Sequence, residues 1–100
     1  MSVIVVGKMH ADPATVKQVW IDHAAEFKAV QKEAEAAGAL HHRWGFGDGF
    51  VVIIDEWPDA TSFQNFFQNN ATIPGLMQAA DVEGPPEFTI VEVVKAPDEF

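Results

Sequence analysis

The pattern of hydrophobic and polar positions predicts four strands along the chain. Val3 to Met9 is apolar on both alternating sets of side chains, which is typical of a strand covered on both faces. Ala39 to Trp57 predicts a β-hairpin, with one strand ending at Phe46 and a second beginning at Val51. The Gly-Asp-Gly run between them is a strong turn signal, because glycine accepts the positive φ of tight turns. Glu87 to Val94 alternates again and predicts the last strand.

The two long intervals between these strands show apolar residues at the spacing typical of helices. The first helix is predicted to begin at Asp12-Pro13 and to end near Ala37, before Gly38. His23 lies within its apolar stripe, whose other members are Val16, Val19, Trp20, Phe27, Val30, Ala34 and Ala37. The second helix follows Asp59 and ends at Asn69-Asn70. A short helical piece is expected from Thr72 through Ala80, and Gly84-Pro85-Pro86 predicts a non-helical connection.

The resulting order, β-α-β-β-α-β, is the ferredoxin-like arrangement of an α+β fold. It predicts a single domain over residues 1–100, a four-stranded antiparallel sheet with helices on one face, and the first and third strands at its centre. The other sheet face is also apolar, and a second copy of the chain is the simplest cover for it. We therefore expect a homodimer formed through the sheet face.

The composition of the chain limits the kinds of partner and site that are expected. The formal charge is −9, from 15 acidic and 6 basic residues, which repels phosphate backbones and argues against nucleic-acid binding. Absence of cysteine excludes disulfides and thiolate metal sites. No segment approaches the ~20 apolar residues of a membrane span, and the opening MSVIVV lacks a basic leader, so we expect no membrane association and a cytoplasmic protein.

His23 is the first candidate for chemistry. In the middle of an apolar stripe, its ring is expected to face the sheet, where a neutral imidazole can act as a general base. The alternative is a core histidine hydrogen-bonded to a backbone carbonyl or a carboxylate, or one that reaches solvent at the edge of the stripe.

The hairpin carries a second candidate pair, whose identity depends on the turn. A two-residue Asp48-Gly49 loop places His42 opposite Asp55 and His41 opposite Glu56. A three-residue loop that includes Gly47 instead places His41 opposite Asp55. In either register one histidine neighbours an acid, and we take His42 and Asp55, with His23, as the catalytic candidates. Such cross-strand pairs are also common structural devices.

Aromatic side chains suit an apolar, aromatic ligand. Trp20, Trp44, Trp57 and Phe63 are the candidate substrate-binding residues, with a purely structural core as the alternative. No metal site is expected, because the adjacent His41 and His42 point to opposite faces of a strand and no HxH or HExxH spacing occurs.

The segment EWPDATSFQNFF (Glu56–Phe67), together with the topology, resembles the dimeric α+β-barrel superfamily, close to its antibiotic-biosynthesis-monooxygenase-like members. The resemblance implies a homodimer that packs sheet against sheet, with a small-molecule pocket between sheet and helices and no cofactor. It departs from the heme-degrading branch, because Gly7 lies where an asparagine is expected. Branches that use tyrosine also differ, since this chain has none.

This resemblance implies a small-molecule-binding protein. The reaction expected from it is cofactor-independent monooxygenation, or cyclisation or isomerisation, of an apolar aromatic or polyketide-like substrate. The alternative is a non-catalytic, structural or stress-related homodimer.

Overall fold

The computed structural model describes residues 1–100 and contains four strands and four helices. The strands are β1 (Val3–His10), β2 (His41–Phe46), β3 (Val51–Trp57) and β4 (Glu83–Glu92). The helices are α1 (Pro13–Asp22), α2 (Ala24–Ala36), α3 (Ala60–Asn69) and α4 (Ile73–Ala79). The strands form one antiparallel sheet in the order β2-β3-β1-β4, which confirms the ferredoxin-like prediction and the central place of β1 and β3.

Side chains start both main helices as the sequence predicts. Asp12 accepts a hydrogen bond from the backbone N–H of Ala14, with Pro13 as the first residue of α1. Asp59 accepts one from the N–H of Ser62 at 2.7 Å and so caps α3. This backbone hydrogen bond, with a further one from the Ser62 side chain, lowers the pKa of Asp59 below 3.8. None of the four helices is long and apolar enough to cross a membrane.

The single first helix predicted from the sequence is wrong, because the chain turns at His23. This residue has φ −121° and ψ 32°, outside the helical region, so α1 ends at Asp22 and α2 begins at Ala24. The next interval agrees with prediction: Gly38 follows α2 at φ 111°, a conformation that favours glycine.

The last strand begins four residues earlier than predicted and ends two residues earlier. It includes Pro85 and Pro86, which were expected to lie in a connection. β4 is an edge strand, and proline is tolerated there because the missing N–H need not pair with a neighbouring strand. The β1–β4 register shifts between Lys8 and His10 of β1, opposite the start of β4.

Two separate hydrophobic clusters lie between the sheet and the helices. One, around Val16, Val19, Val51 and Leu76, joins α1 and α4 to the start of β3. The other contains Val5, Trp57 and Phe63 and joins α3 to the end of β3.

The sheet face away from the helices has an apolar strip at its centre and carries no element of this chain. Ile54 of β3 and Val91 of β4 are 43% and 47% exposed on it. Ile4 and Val6 lie between them on β1, since Ile4 pairs with Val91 and Val6 pairs with Ile54.

Candidate active site

A cavity of about 800 Å³ separates the sheet from the helices. Residues of both hydrophobic clusters line this cavity, so the cavity lies within the core, between the two clusters. Most of its wall is apolar, and its volume falls within the ~300–1,000 Å³ that is usual for small-molecule sites. The aromatic side chains therefore leave open space beneath the helices instead of filling it.

A chain of three hydrogen-bonded side chains lies in the cavity wall. His42 Nδ1 lies 2.6 Å from Asp55 Oδ1, and the indole N–H of Trp57 donates to Asp55 Oδ2 at 3.2 Å. All three residues line the cavity. The Asp55 side chain is only 8% exposed, whereas that of His42 is 51% exposed. A buried carboxylate is thus held from both sides, and the imidazole at its outer end remains open to the cavity and to solvent.

The turn settles which histidine meets Asp55. The backbone N–H of Gly47 donates to the carbonyl of Phe50 at 2.9 Å, and Gly49 has φ 80°, so Asp48 and Gly49 form a two-residue loop. Of the two registers that the sequence left open, this one pairs His42 with Asp55 and His41 with Glu56. Because side chains alternate along a strand, His42 faces the helices beside Asp55. His41, at the start of β2, also borders the cavity, but it lies opposite Glu56 and not beside Asp55.

The hydrogen bonds give the two ring nitrogens of His42 different roles. A carboxylate only accepts hydrogen bonds, so the nitrogen next to Asp55, Nδ1, is the one that carries a proton. In a neutral ring Nε2 is then the unprotonated nitrogen and can accept a proton. This is the arrangement of a general base oriented by a carboxylate.

His23 does not join this group, so the expectation that its ring faces the sheet is wrong. Its Nδ1 lies 2.7 Å from Glu26 Oε1, its side chain is 36% exposed, and the cavity wall contains Ala24 and not His23. The non-helical backbone at His23 moves its side chain out of the apolar stripe.

The structure places all four predicted aromatic residues along the cavity. Trp20 and Trp44 meet edge to face, with ring centroids 5.2 Å apart, and Trp44 also meets the His42 ring at 5.8 Å. Trp57 and Phe63 are buried, 5.8 Å apart, and belong to the hydrophobic core as well. Trp20 and Trp44 are therefore better placed than the other pair to contact a ligand.

Sequence reasoning missed the bond between Trp57 and Asp55. The signal was present, because residues two apart on a strand share a face, and Asp-x-Trp therefore places the carboxylate beside the indole. A second set of buried hydrogen bonds that the sequence did not reveal lies at the start of α4. There Asn70 accepts from the N–H groups of Thr72 and Ile73 and donates to Glu33 on α2.

Neither protein-family models nor curated proteins match this chain. Solved structures do. An antibiotic biosynthesis monooxygenase aligns over 93% of this chain and 99% of its own, with a TM-score of 0.67 and 14% identity. A monooxygenase from the Streptomyces coelicolor gene ActVA-Orf6, in complex with nanaomycin D, aligns over 95% and 89%, with a TM-score of 0.67 and 19% identity.

SnoaB, a cofactor-independent oxygenase from Streptomyces nogalater, aligns over 98% of both chains, with a TM-score of 0.64 and 17% identity. The fold is therefore that of antibiotic-biosynthesis-monooxygenase-like proteins, as the segment Glu56–Phe67 and the topology indicated. Identities this low show the fold and leave the function to the residues of the site.

Proposed function

We propose that this protein is a homodimeric enzyme that binds an apolar aromatic molecule with a phenolic hydroxyl in the cavity and oxygenates it without a cofactor. The observation that carries the proposal is the Trp57–Asp55–His42 chain at the wall of a largely apolar cavity. In a largely apolar wall the imidazole supplies a function that the apolar residues lack, because it can remove a proton from the ligand. The cofactor-independent oxygenase among the structures with this fold supports the same reaction class.

His42 begins the proposed reaction by accepting the phenolic proton at Nε2. The phenolate is electron-rich, and its ring carbon opposite the oxygen forms a bond to dioxygen, which gives a ring-bound peroxide. The hydrogen on that carbon then leaves as a proton while the O–O bond breaks, which produces a quinone. The second oxygen atom leaves as water with this proton and the proton held by His42. One oxygen atom enters the ring and the other becomes water, so the substrate itself supplies the electrons.

Oxygen uptake with 1-naphthol, whose product in this scheme is 1,4-naphthoquinone, tests the proposal. His10→Gln is a matched control for His42→Gln, because His10 also lies 2.6 Å from a carboxylate, that of Glu87, and does not line the cavity. We expect uptake by the wild type and by His10→Gln, and a loss of roughly 100-fold or more in His42→Gln, the usual contribution of a general base. Equal rates in the two variants, or no uptake and no binding in the wild type, would contradict the proposal.

The homodimer is supported by the open sheet face. Exposed Ile54 and Val91, with Ile4 and Val6 between them, form an apolar strip that a second copy of the same sheet can cover. Light scattering should give twice the 11.0 kDa chain mass for the wild type. Ile54→Glu should give the single-chain mass. Ile21→Glu, at a 64% exposed position on α1, should stay dimeric. A monomeric wild type would contradict this part of the proposal.

A further inference from the structure

Trp20 holds a buried N–H group that has no hydrogen-bond partner. Its Nε1 is shielded from solvent, and no oxygen or nitrogen of the protein accepts from it. The ring packs edge to face on Trp44 at 5.2 Å and stacks on Phe46 at 5.1 Å, with 24° between the ring planes. No other buried side-chain nitrogen or oxygen is left in this condition.

Such a group is uncommon, because a buried indole N–H normally finds an acceptor and leaving it without one is unfavourable. The contrast within this protein is direct. Trp57 donates to Asp55 on the same cavity wall, whereas the neighbours of the Trp20 ring, Trp44 and Phe46, offer no oxygen. Since Trp20 lines the cavity, a molecule bound there is the nearest source of an acceptor.

We propose that Trp20 is a specificity-determining residue whose indole N–H donates a hydrogen bond to a carbonyl oxygen of the bound ligand. The inference rests on the proposed function for the other end of the ligand, where the hydroxyl meets His42. The Trp44 ring lies between the two groups, with centroids 5.8 Å from His42 and 5.2 Å from Trp20. The favoured ligand is therefore a fused-ring molecule with a hydroxyl at one end and a carbonyl at the other.

Binding has to bring the shielded N–H to the ligand. Phe46, which stacks on Trp20, is the last residue of β2 and is 46% exposed, so it is the neighbour least restrained by packing. We expect a shift of Phe46, or a turn of the indole about its side-chain bonds, to expose Nε1 to the ligand. The hydrogen bond then exists only with a carbonyl-bearing ligand, which makes the group a selector rather than a general contributor to affinity.

A matched pair of ligands and a matched pair of variants test this role. 5-Hydroxy-1-tetralone and 5,6,7,8-tetrahydro-1-naphthol share a skeleton and a hydroxyl, and only the first has a carbonyl. Their dissociation constants are measured by calorimetry without oxygen, so that neither phenol is oxidised, for the wild type, Trp20→Phe and Trp44→Phe. Trp20→Phe keeps an aromatic ring and removes the N–H. Trp44→Phe makes the same change at the neighbouring ring.

We expect Trp20→Phe to weaken binding of the tetralone by about tenfold, the effect of one buried hydrogen bond, and to leave the carbonyl-free ligand nearly unchanged. Trp44→Phe should change the two ligands equally. Equal weakening of both ligands by Trp20→Phe would overturn the inference, because the ring would then act only through packing. If the wild type binds neither ligand, the proposed aromatic site fails first and this role for Trp20 fails with it.

Discussion

Replacement of Asp55 separates the structural contribution of the buried carboxylate from its effect on His42. Asp55→Ala removes the acceptor of two hydrogen bonds, from Trp57 and from His42. Trp57 is 1% exposed, so its indole N–H loses its partner within the core, whereas the half-exposed His42 can turn to solvent. The loss therefore comes mainly from one orphaned buried N–H, which costs about 1–3 kcal/mol. For a 100-residue domain, ~2 kcal/mol corresponds to a fall of roughly 10 °C in Tm.

Asp55→Asn has nearly the same size and gives a different result. Its amide oxygen can still accept from Trp57, while its NH₂ group donates to His42 Nδ1. The proton of the neutral ring then moves to Nε2, and the base is lost although the hydrogen bonds remain. We expect a change in unfolding free energy below about 1 kcal/mol, because both hydrogen bonds survive. Oxygen uptake should fall about as far as in His42→Gln.

Urea denaturation of the wild type and both variants, beside the oxygen-uptake assay, measures the two effects separately. Unchanged denaturant slopes allow the midpoints to be compared as stabilities. If Asp55→Ala is as stable as Asp55→Asn, the Trp57 hydrogen bond contributes nothing. If Asp55→Asn keeps full activity, the orientation of His42 by a carboxylate is refuted.

Three smaller predictions follow from single contacts. Gly7→Ala should cost about 1–3 kcal/mol in urea denaturation, because its Cβ would come within 2.7 Å of the Phe88 ring; a neutral change would contradict this close packing. Asp59→Ala should destabilise the protein at neutral pH, and the difference should vanish as the pH falls through the lowered pKa of the carboxylate that caps Ser62. A pH-independent difference would refute it. His23→Ala should leave 1-naphthol affinity unchanged and alter stability by less than about 1 kcal/mol; lost affinity would return His23 to the cavity.

Local signals in the sequence were sufficient for the fold. The order of elements follows from the alternation of apolar and polar residues in four segments, the Asp-Gly turn of the hairpin and the caps at Asp12 and Asp59. That order is compatible with few topologies. The wrong predictions concern places where the local sequence gives no signal, or gives one that favours a different structure. No proline or glycine marks the break at His23, and the prolines of β4 indicate a connection unless the strand is known to lie at an edge.

The site could be predicted only in part. His42 and Asp55 were identified as neighbours in one of two registers, and the choice depended on the turn conformation around Asp48, which the sequence left open. The missing partner of Trp20 could not be predicted at all. It depends on which groups surround the indole after folding, and no sequence pattern describes that.

The role of His42 as a general base depends on which nitrogen of its ring carries the proton. Nitrogen-15 NMR of the histidine side chains distinguishes a protonated ring nitrogen from a bare one, and spectra are recorded without oxygen, with and without 1-naphthol. We predict that neutral His42 carries its proton on Nδ1, next to Asp55. Among the four histidines, only the Nε2 signal of His42 should move towards the hydrogen-bonded position when 1-naphthol binds. A proton on Nε2 in the free protein, or bound 1-naphthol that leaves the Nε2 signal unchanged, would contradict it.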